Sequence, residues 1–554
     1  MVRTFGMVAL IAGVLAVGGW ISVRQKKRKL ESRLRNAWGT KPFSCSLDGD
    51  GLADVAAYWR EKQMAEVSAD SLDDVTWSDL DLDAVFRHMN RTKSNVGEEA
   101  LYAMLRDVGT SDETLQRRMR WIEALGADDE GRTALQMALV RIGKDRYHSV
   151  YPLLFRAEDR RTAHSWLYYA LACLPIVFVV LGIFNPLWLI GFAGMFLVNA
   201  VVYYRTQSVW ASEQAAVRHL AKVLHVARKM ARCAVTQMED ATETLGGLCG
   251  RLKAIARWNA LYVMQPANDM DFLTDYIRIL FQLDMISLTK LTAFVHSHAE
   301  AVQQMYALVG EIDACIAVAS QRAACAQYCV PEFTKEMRVK AVGIAHPLVR
   351  EPVRNTMHWA HNALITGSNA SGKSTFIKAL ALNAVFAQSI GTCWAEHFAM
   401  PRARVLSSMA LRDDVRGGDS YFVVEIKSLR RILTAIDDSK LTLCFVDEIL
   451  RGTNTVERIA TSTSLLRHLE GQNVLCVAAT HDVELTQLLG GYEQHHFREE
   501  MTDAGMIFSY RLMDGHCMTR NAIRLLEQME FPPQIIRAAD DMAAGFDECG
   551  KWGG

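Results

Sequence analysis

Two strings of residues in the last third of the chain have the types and spacing of a phosphate-transfer site. Residues 367–375 read GSNASGKST, which fits the pattern G-x-x-x-x-G-K-[ST]. In this pattern the glycines let successive backbone N–H groups face phosphate oxygens, and the lysine holds the phosphates as a point charge. Residues 441–448 read LTLCFVDE, an apolar run that ends in adjacent carboxylates. Together the strings predict a site that binds and hydrolyses a nucleoside triphosphate.

The residues of these strings have separate expected roles. The predicted phosphate-binding set is Gly367, Ser368, Asn369, Ala370, Ser371, Gly372, Lys373, Ser374 and Thr375. Lys373 would hold the β- and γ-phosphates, and Ser374 would bind Mg²⁺. Asp447 would hold the same ion, and Glu448 would orient and deprotonate the attacking water. Taken alone, the two carboxylates would be better explained as a solvated strand end, but the upstream phosphate loop favours the catalytic interpretation.

This chemistry requires elements that hold the loop between a strand and a helix. Residues 361–366 have the short apolar pattern of a strand, and residues 376–388 have helical periodicity. Residues 441–448 form a second expected strand, and its carboxyl end carries the acidic pair. The last third of the chain is therefore predicted to be an α/β P-loop NTPase domain.

Length, charge and cysteine content bound the remaining possibilities. A chain of 554 residues has room for two or more domains. Its formal net charge is −1, so no bulk electrostatic field attracts nucleic acid. The 12 cysteines contain no CxxC pair, which argues against a zinc site. Several of them fall in or beside the nucleotide module, which indicates a reducing compartment.

Long apolar segments predict a membrane protein. Residues 5–23 carry no charge and precede the basic run 24–29, as expected for an anchor with a cytoplasmic C-terminal flank. A cleaved signal peptide is the alternative, although its charge would come before the apolar run. Residues 166–204 could form a hairpin of two spans, or a buried helix pair. The sequence predicts three transmembrane helices in the cell membrane and a cytoplasmic nucleotide domain.

The region between these segments and the nucleotide module is predicted to be helical, because apolar residues recur at helical spacing between charges. One such stretch, residues 215–238, also has a basic side. Its basic residues are Arg218, Lys222, Arg228, Lys229 and Arg232. This side could contact nucleic acid or an acidic membrane surface, or it could be a solvated helix face.

The strings around the phosphate loop resemble the MutS family of ATPases. Residues 412–433 are similar to that family's segment of an acidic pair, a small loop, Ser-x-Phe and a downstream Glu. Residues 447–455, DEILRGTNT, are similar to DE-x-x-RGT-x-T, and residues 478–485, AATHDVEL, are similar to A-T-H-x-x-x-L. Further similarity upstream extends the resemblance over residues 75–540.

Together with the apolar segments, the resemblance implies an ABC/MutS-type ATPase domain preceded by an all-α core domain with transmembrane helices. The implied order is an anchor with its basic flank at 1–30, a linker at 31–74, a helical core at 75–345 interrupted by the hairpin at 166–204, an ATPase domain at 346–540 and a tail at 541–554.

The resemblance also implies a homodimer that binds ATP and Mg²⁺ at composite sites. Ser420 would reach across the dimer to the γ-phosphate bound by the other subunit. His481 would position the γ-phosphate and the attacking water, and Thr453 and Asn454 would lie at the subunit boundary. The implied catalytic set is Glu448, His481 and Lys373.

Departures from the family limit what the resemblance implies. The chain begins with an apolar anchor where a mismatch-recognition domain would stand, residue 421 is Tyr where the family commonly has Thr, and Trp359 is a poor candidate for stacking on adenine. We expect a membrane-anchored ATPase whose hydrolysis drives conformational change, with an ATP-dependent DNA-binding clamp tethered to the membrane as the alternative. A transporter is disfavoured because the spans carry no ionisable residue at mid-depth. The target on which the expected ATPase acts could be DNA, lipid or another protein.

Overall fold

The chain divides into two compact units in a computed structural model. The first, here called the helical unit, comprises Met1–Ser68, Phe86–Met104 and Gln116–Ala326. The second, here called the sheet unit, comprises Ala69–Val85, Leu105–Leu115 and Gln327–Gly554. The structure describes all residues except 1, 41–48, 66–69, 146–149, 156–164, 256–270, 369–370, 410–420, 451, 503–504, 516–522, 524–525, 528 and 550–554.

Helices account for the described elements up to residue 324. They are α1 (Val2–Asn36), α2 (Gly49–Ala65), α3 (Asp74–Asp79), α4 (Leu82–Met89), α5 (Asn95–Arg106), α6 (Asp112–Ala127), α7 (Asp129–Leu139), α8 (Val150–Phe155), α9 (Ser165–Phe184), α10 (Trp188–Val209), α11 (Ala211–Met230), α12 (Glu239–Arg251), α13 (Asp271–Phe281), α14 (Leu283–Ser297) and α15 (Ala299–Ala324). Their apolar residues repeat at helical spacing, as in α11, where Val217, Leu220, Leu224 and Ala227 are all buried. The prediction of a helical middle region is confirmed.

The segment predicted as a linker, residues 31–74, instead contains the packed helix α2. This helix buries Leu52, Val55 and Tyr58. The ring of Tyr58 lies 6.0 Å from that of Tyr151, in an edge-on arrangement. Its apolar face therefore contributes to the core of the helical unit.

A buried aspartate joins α15 to the start of α5. Asp313 is fully buried and accepts hydrogen bonds from the Ser94 hydroxyl (2.6 Å), the Ser94 N–H (2.8 Å) and the Lys93 N–H (3.0 Å). These bonds satisfy backbone donors at the entry to α5 that have no helical partner. Gly97 passes so close that a Cβ on it would lie 2.2 Å from Asp313 Oδ2. The crossing of α5 and α15 therefore depends on glycine at this position.

The helical unit also buries a carboxyl group among tyrosines. Glu99 accepts hydrogen bonds from the hydroxyls of Tyr151 (2.9 Å) and Tyr306 (2.8 Å). Its burial is complete and raises the pKa of Glu99 to about 7, despite these two bonds. The folded state therefore binds this proton more tightly than the unfolded chain does.

The raised pKa predicts a specific pH dependence of stability. The free energy of unfolding is expected to fall by about 3 kcal/mol as the pH rises from the unfolded pKa of Glu99 to its folded pKa. Glu99→Gln should remove this part of the pH dependence, because glutamine does not titrate. Urea unfolding of both proteins below and above this range measures the difference, with the exposed Glu123→Gln as control. An identical pH dependence in the Glu99→Gln and unmodified proteins would contradict the prediction.

Helices α9 and α10 form an apolar hairpin. Within them, Trp166–Phe184 and Trp188–Val209 are long and apolar enough to cross a membrane, and most of their side chains are exposed. The predicted anchor at residues 5–23 falls within α1, but the side chains of residues 1–16 lie outside the described part of the chain. The third span is therefore still a prediction.

One polar side chain of the hairpin is fully buried. Asn199 of α10 donates hydrogen bonds to the carbonyl oxygens of Leu171 in α9 (3.0 Å) and Leu280 in α13 (2.7 Å). Gln282, which separates α13 from α14 in a left-handed conformation, donates in turn to the Asn199 carbonyl oxygen (2.7 Å). Two amide side chains therefore connect the hairpin to α13 and α14.

The sheet unit alternates strands and helices. In chain order it contains β1 (Glu332–Phe333), β2 (Val339–Ile344), β3 (Asn355–Trp359), β4 (Ala363–Thr366), α16 (Lys373–Ser389), β5 (His397–Met400), β6 (Ala403–Ser408), α17 (Tyr421–Ala435), β7 (Leu441–Asp447), α18 (Thr455–Leu469), β8 (Val474–Thr480), α19 (Glu484–Leu488), β9 (Glu493–Thr502), β10 (Gly505–Asp514) and α20 (Pro533–Cys549). The strands and helix predicted around the phosphate loop are confirmed. Helix α20 extends into the predicted tail at 541–554.

The larger sheet has the strand order β10-β9-β4-β8-β7-β6. Its strands are parallel except for β10, which pairs antiparallel with β9. The smaller sheet has the order β1-β5-β2-β3. Strands β7 and β8 are buried over their whole length, as expected for parallel strands covered on both faces. Because β4, β8 and β7 are adjacent and parallel, their carboxyl ends lie side by side.

An early segment of the chain packs within the sheet unit against β6 and α17. Asp79 accepts hydrogen bonds from the Ser407 hydroxyl (2.7 Å) and the Met409 N–H (3.0 Å). Arg431 of α17 forms an ion pair with Asp73. Burial raises the pKa of Asp79, and these two hydrogen bonds oppose that shift. The sheet unit is therefore not a continuous stretch of sequence.

Candidate active site

The loop between β4 and α16 has the backbone geometry that phosphate binding needs. Gly367 and Gly372 have φ angles of 141° and 103°, which favour glycine. A Cβ on Gly367 would also lie 2.8 Å from the Phe497 carbonyl oxygen. Gly372 immediately precedes α16, so unpaired N–H groups and the helix dipole favour an anion there. Asn369 and Ala370 lie outside the described residues.

Lys373 is folded over this loop. It is 2% exposed, and its Nζ donates hydrogen bonds to the carbonyl oxygens of Gly367 (2.6 Å) and Ser368 (2.7 Å). The two ring nitrogens of His481 lie 3.4 and 3.5 Å from the same Nζ. The ammonium group is thus held beside the loop by carbonyl oxygens that phosphate oxygens can replace.

Glu448 lies directly after β7 in a strained backbone conformation. Its φ is 56°, in the left-handed region that costs a non-glycine residue about 1–3 kcal/mol. Its N–H donates to the Ala479 carbonyl oxygen of the neighbouring strand β8 (3.0 Å), which holds the turn in place. The carboxylate Oε1 lies 2.5 Å from Nε2 of His481. This turn therefore aims the Glu448 carboxylate at the histidine.

The sheet brings these residues together from distant parts of the sequence. Thr366 at the end of β4 pairs with Thr480 at the end of β8, and β7 pairs with β8 next to it. The residue that follows each strand end is therefore close to the phosphate loop. Three predicted catalytic residues meet here: Lys373, Glu448 and His481.

The acidic end of β7 offers oxygen ligands for a divalent cation. Asp447 is 8% exposed, and its Oδ1 is buried without a hydrogen-bond partner among the described residues. Ser374, the predicted hydroxyl ligand, lines a cavity next to the loop. Carboxylate and hydroxyl oxygens suit Mg²⁺, which commonly binds few protein groups together with substrate phosphates. Within the described residues no group of three His, Cys, Asp or Glu could hold a metal.

That cavity has a volume of about 420 Å³ and lies beside Gly372. Its lining combines apolar and aromatic residues, among them Val353, Phe497 and Tyr510, with polar ones, among them Glu351 and Asn355. Such a lining suits a planar base and its sugar. Trp359 is not among the residues that line it.

Residues 363–547 match the family described as MutS domain V. Residues 363–547 therefore form a MutS-related domain. The chain is 29% identical to the DNA mismatch repair protein MutS of Thermus thermophilus over 247 residues, 44% of this chain and 30% of that protein. It is 30% identical to the DNA mismatch repair protein MutS of Natronomonas pharaonis over 267 residues, 46% of this chain and 30% of that protein. The chain thus spans about a third or less of the length of these relatives.

The MutS-related domain contains site residues that the sequence did not single out. Glu425 accepts a hydrogen bond from the Leu450 N–H (2.5 Å), which supports the turn that carries Glu448. Arg458 forms a bidentate pair with Asp482 (2.6 and 2.8 Å), the residue after His481. The downstream Glu of the MutS-like segment was the available signal for Glu425. No local pattern pointed to the ion pair, because it joins a helix to a loop.

Other residues of the MutS resemblance have local roles or lie outside the described chain. Ser420 lies outside the described residues. Asn454 caps α18 by accepting a hydrogen bond from the Glu457 N–H (2.9 Å), and the Thr453 hydroxyl donates to the Glu457 carboxylate (3.0 Å). The subunit-boundary role of Thr453 and Asn454 is thus still a prediction.

Proposed function

We propose that this MutS-related chain hydrolyses ATP to ADP and phosphate. The observation that carries the proposal is the contact of Glu448 with His481 beside Lys373 and the phosphate loop. A carboxylate, a histidine and an ammonium group at the positive end of a helix form a site for phosphoryl transfer to water. The adenine base of ATP would occupy the cavity next to Gly372, against the Tyr510 ring.

In the proposed reaction, Lys373 exchanges its hydrogen bonds to the Gly367 and Ser368 carbonyl oxygens for bonds to the β- and γ-phosphates. The N–H groups at the start of α16 donate to the same phosphates. Glu448 accepts a proton from the attacking water while the water oxygen bonds to the γ-phosphorus. The bond between the γ-phosphorus and the oxygen that bridges it to the β-phosphate breaks, which releases ADP. His481 holds the Glu448 carboxylate in position. Mg²⁺ bound by Ser374 and Asp447 would neutralise phosphate charge.

We further infer that the enzyme is a homodimer in which Ser420 of each subunit completes the other subunit's site. The support is the resemblance of residues 412–433 to the MutS segment that performs this role. We also infer that three spans, one in α1 and two in α9–α10, anchor it in the cell membrane, with the sheet unit in the cytoplasm. Exposure of the hairpin's apolar side chains and its flanking arginines support this placement.

The purified full chain in detergent is expected to hydrolyse ATP only when Mg²⁺ is present. Ser420→Ala and Lys373→Ala subunits should each be inactive alone but regain turnover when mixed, because the mixed dimer contains one complete site. A mixture of Lys373→Ala and Glu448→Gln subunits is the control. Both residues come from the subunit that binds the nucleotide, so neither site of the mixed dimer is complete and the mixture should stay inactive. A mixture of Ser420→Ala and Lys373→Ala without turnover would end the cross-subunit proposal and leave the hydrolysis proposal standing.

The alternative function, an ATP-dependent DNA clamp at the membrane, has less support from the described residues than hydrolysis has. The printed name of the relatives concerns DNA mismatch repair, but they share only the C-terminal part of this chain. Of the five basic residues predicted on one side of residues 215–238, Lys222, Arg228 and Lys229 are half-exposed, whereas Arg218 and Arg232 are exposed. Three of the five basic residues are therefore not fully open to a duplex.

A further inference from the structure

A second cavity lies within the helical unit, between α1, α7 and the end of α11. Its volume is about 490 Å³. Helix α1 contributes Lys27 and Arg35, helix α7 contributes Thr133, and Arg141 and Lys229 approach from the other sides. The cavity is therefore built from three separate helices and is distinct from the ATP site in the sheet unit.

The lining carries more positive charge than its acids neutralise. Among the described residues Lys27, Arg141 and Lys229 form no ion pair, whereas Arg35 pairs with Glu31 (3.3 Å) and with Asp129 (2.8 Å). Glu130 is the remaining acid in the lining, and it is exposed. A cavity with three unpaired cations and one free carboxylate attracts an anion.

The cations are close enough to affect one another. Burial, and then the charge of Arg141, lower the pKa of Lys229. Burial and the charges of Lys229, Arg141 and Arg228 likewise lower the pKa of His225 on the same helix. An anion placed among these groups would relieve their mutual repulsion.

The cavity lining also includes a residue with a buried hydroxyl. Thr133 is 4% exposed, lines the cavity, and its Oγ1 has no hydrogen-bond partner among the described residues. Buried hydroxyls in folded proteins are normally paired, so an unpaired one beside cations indicates a ligand oxygen as its partner.

We propose that this cavity binds a phosphate group, with Thr133, Arg141 and Lys229 as its direct ligands, and that the phosphate is the headgroup of an anionic phospholipid. The choice of a lipid rests on the proposed anchoring of α1, whereas the anion site does not. Lys27 follows Val23, the last residue of the charge-free run, by about 6 Å along the helix. The cavity would then lie at the cytoplasmic headgroup layer, where anionic lipids attract basic side chains.

Isothermal titration of the full chain in neutral detergent tests this proposal. Dioctanoyl phosphatidylglycerol is expected to bind at least about tenfold more tightly than dioctanoyl phosphatidylcholine, because the choline ammonium neutralises its own phosphate. Thr133→Val and Lys229→Gln should each weaken phosphatidylglycerol binding about tenfold, by removal of one hydrogen bond to a charged group. Lys222→Gln is the matched control, because it removes the same charge from α11 outside the cavity.

Each result has a defined meaning. Inorganic phosphate binding as tightly as phosphatidylglycerol would retain the anion site and overturn the lipid source. An equal loss of affinity in Lys222→Gln would overturn the site, because it would show an unspecific effect of charge. Absence of binding by either probe, in a protein that still hydrolyses ATP, would overturn this inference alone. Urea unfolding of Thr133→Val and Lys229→Gln checks that both variants fold.

Discussion

Glu448→Gln is expected to lower the ATP turnover number of the full chain by about 10²–10⁴-fold, the range for loss of a general base. Glutamine has nearly the same shape and can keep a hydrogen bond to His481, which lies 2.5 Å from the carboxylate. It cannot accept a proton from the attacking water. ATP binding should therefore persist, and stopped assays of ADP release together with binding of a labelled nucleotide separate the two effects.

Lys373→Ala is expected to reduce both ATP binding and turnover, because the Lys373 ammonium group contacts the loop that receives the phosphates.

The exposed Glu484→Gln, on α19, is the matched control for Glu448→Gln and should hydrolyse ATP at the unmodified rate. Turnover of Glu448→Gln within about threefold of the unmodified protein would remove Glu448 from the mechanism, since that is far below the effect of losing a base.

Gly97→Ala is expected to destabilise the helical unit by about 1–3 kcal/mol or more, the cost of forcing a methyl group into a packed site. The added Cβ would lie 2.2 Å from Asp313 Oδ2, so either the aspartate or helix α5 must move. Moving the aspartate breaks its bonds to Ser94 and Lys93. Urea unfolding followed by tryptophan fluorescence measures the loss.

Gly246→Ala gives a control of opposite sign. Gly246 lies within α12, and a Cβ there would meet no atom within 4 Å. Alanine should therefore stabilise this helix by up to about 1 kcal/mol, from helix propensity alone. Equal unfolding midpoints for Gly97→Ala and Gly246→Ala would show that the contact with Asp313 does not limit the approach of α5 to α15.

Local patterns in the sequence were sufficient to predict the phosphate loop and its flanking elements. The glycines, Lys373 and the acidic pair after β7 are short-range signals, because each role depends on a few consecutive residues. The two helices of the hairpin were equally readable, since each follows from a long apolar run alone. These features depend little on the rest of the fold.

Contacts between distant residues could not be predicted in this way. The carboxylate of Asp313 meets Gly97 only because α5 and α15 cross, and nothing near either residue indicates that crossing. Tyr510 reaches the loop from β10, at a positive φ that its sequence neighbours do not require. The contact of Asp79 with Ser407 likewise joins an early segment to a strand of the sheet unit. Such features depend on tertiary packing, which overrides local preference.

The amide contacts of Asn199 and Gln282 determine what kind of motion the hairpin can make. They tie α10 to α9 and α13 at one level, and in hydrocarbon each such bond contributes about 0.6 kcal/mol on average and up to about 1.7. Sliding one helix along another would break them with no water to replace them. In the proposed membrane placement of the hairpin, a force applied to α13 would reach the bilayer as a change in tilt of the whole group, with the register between helices preserved.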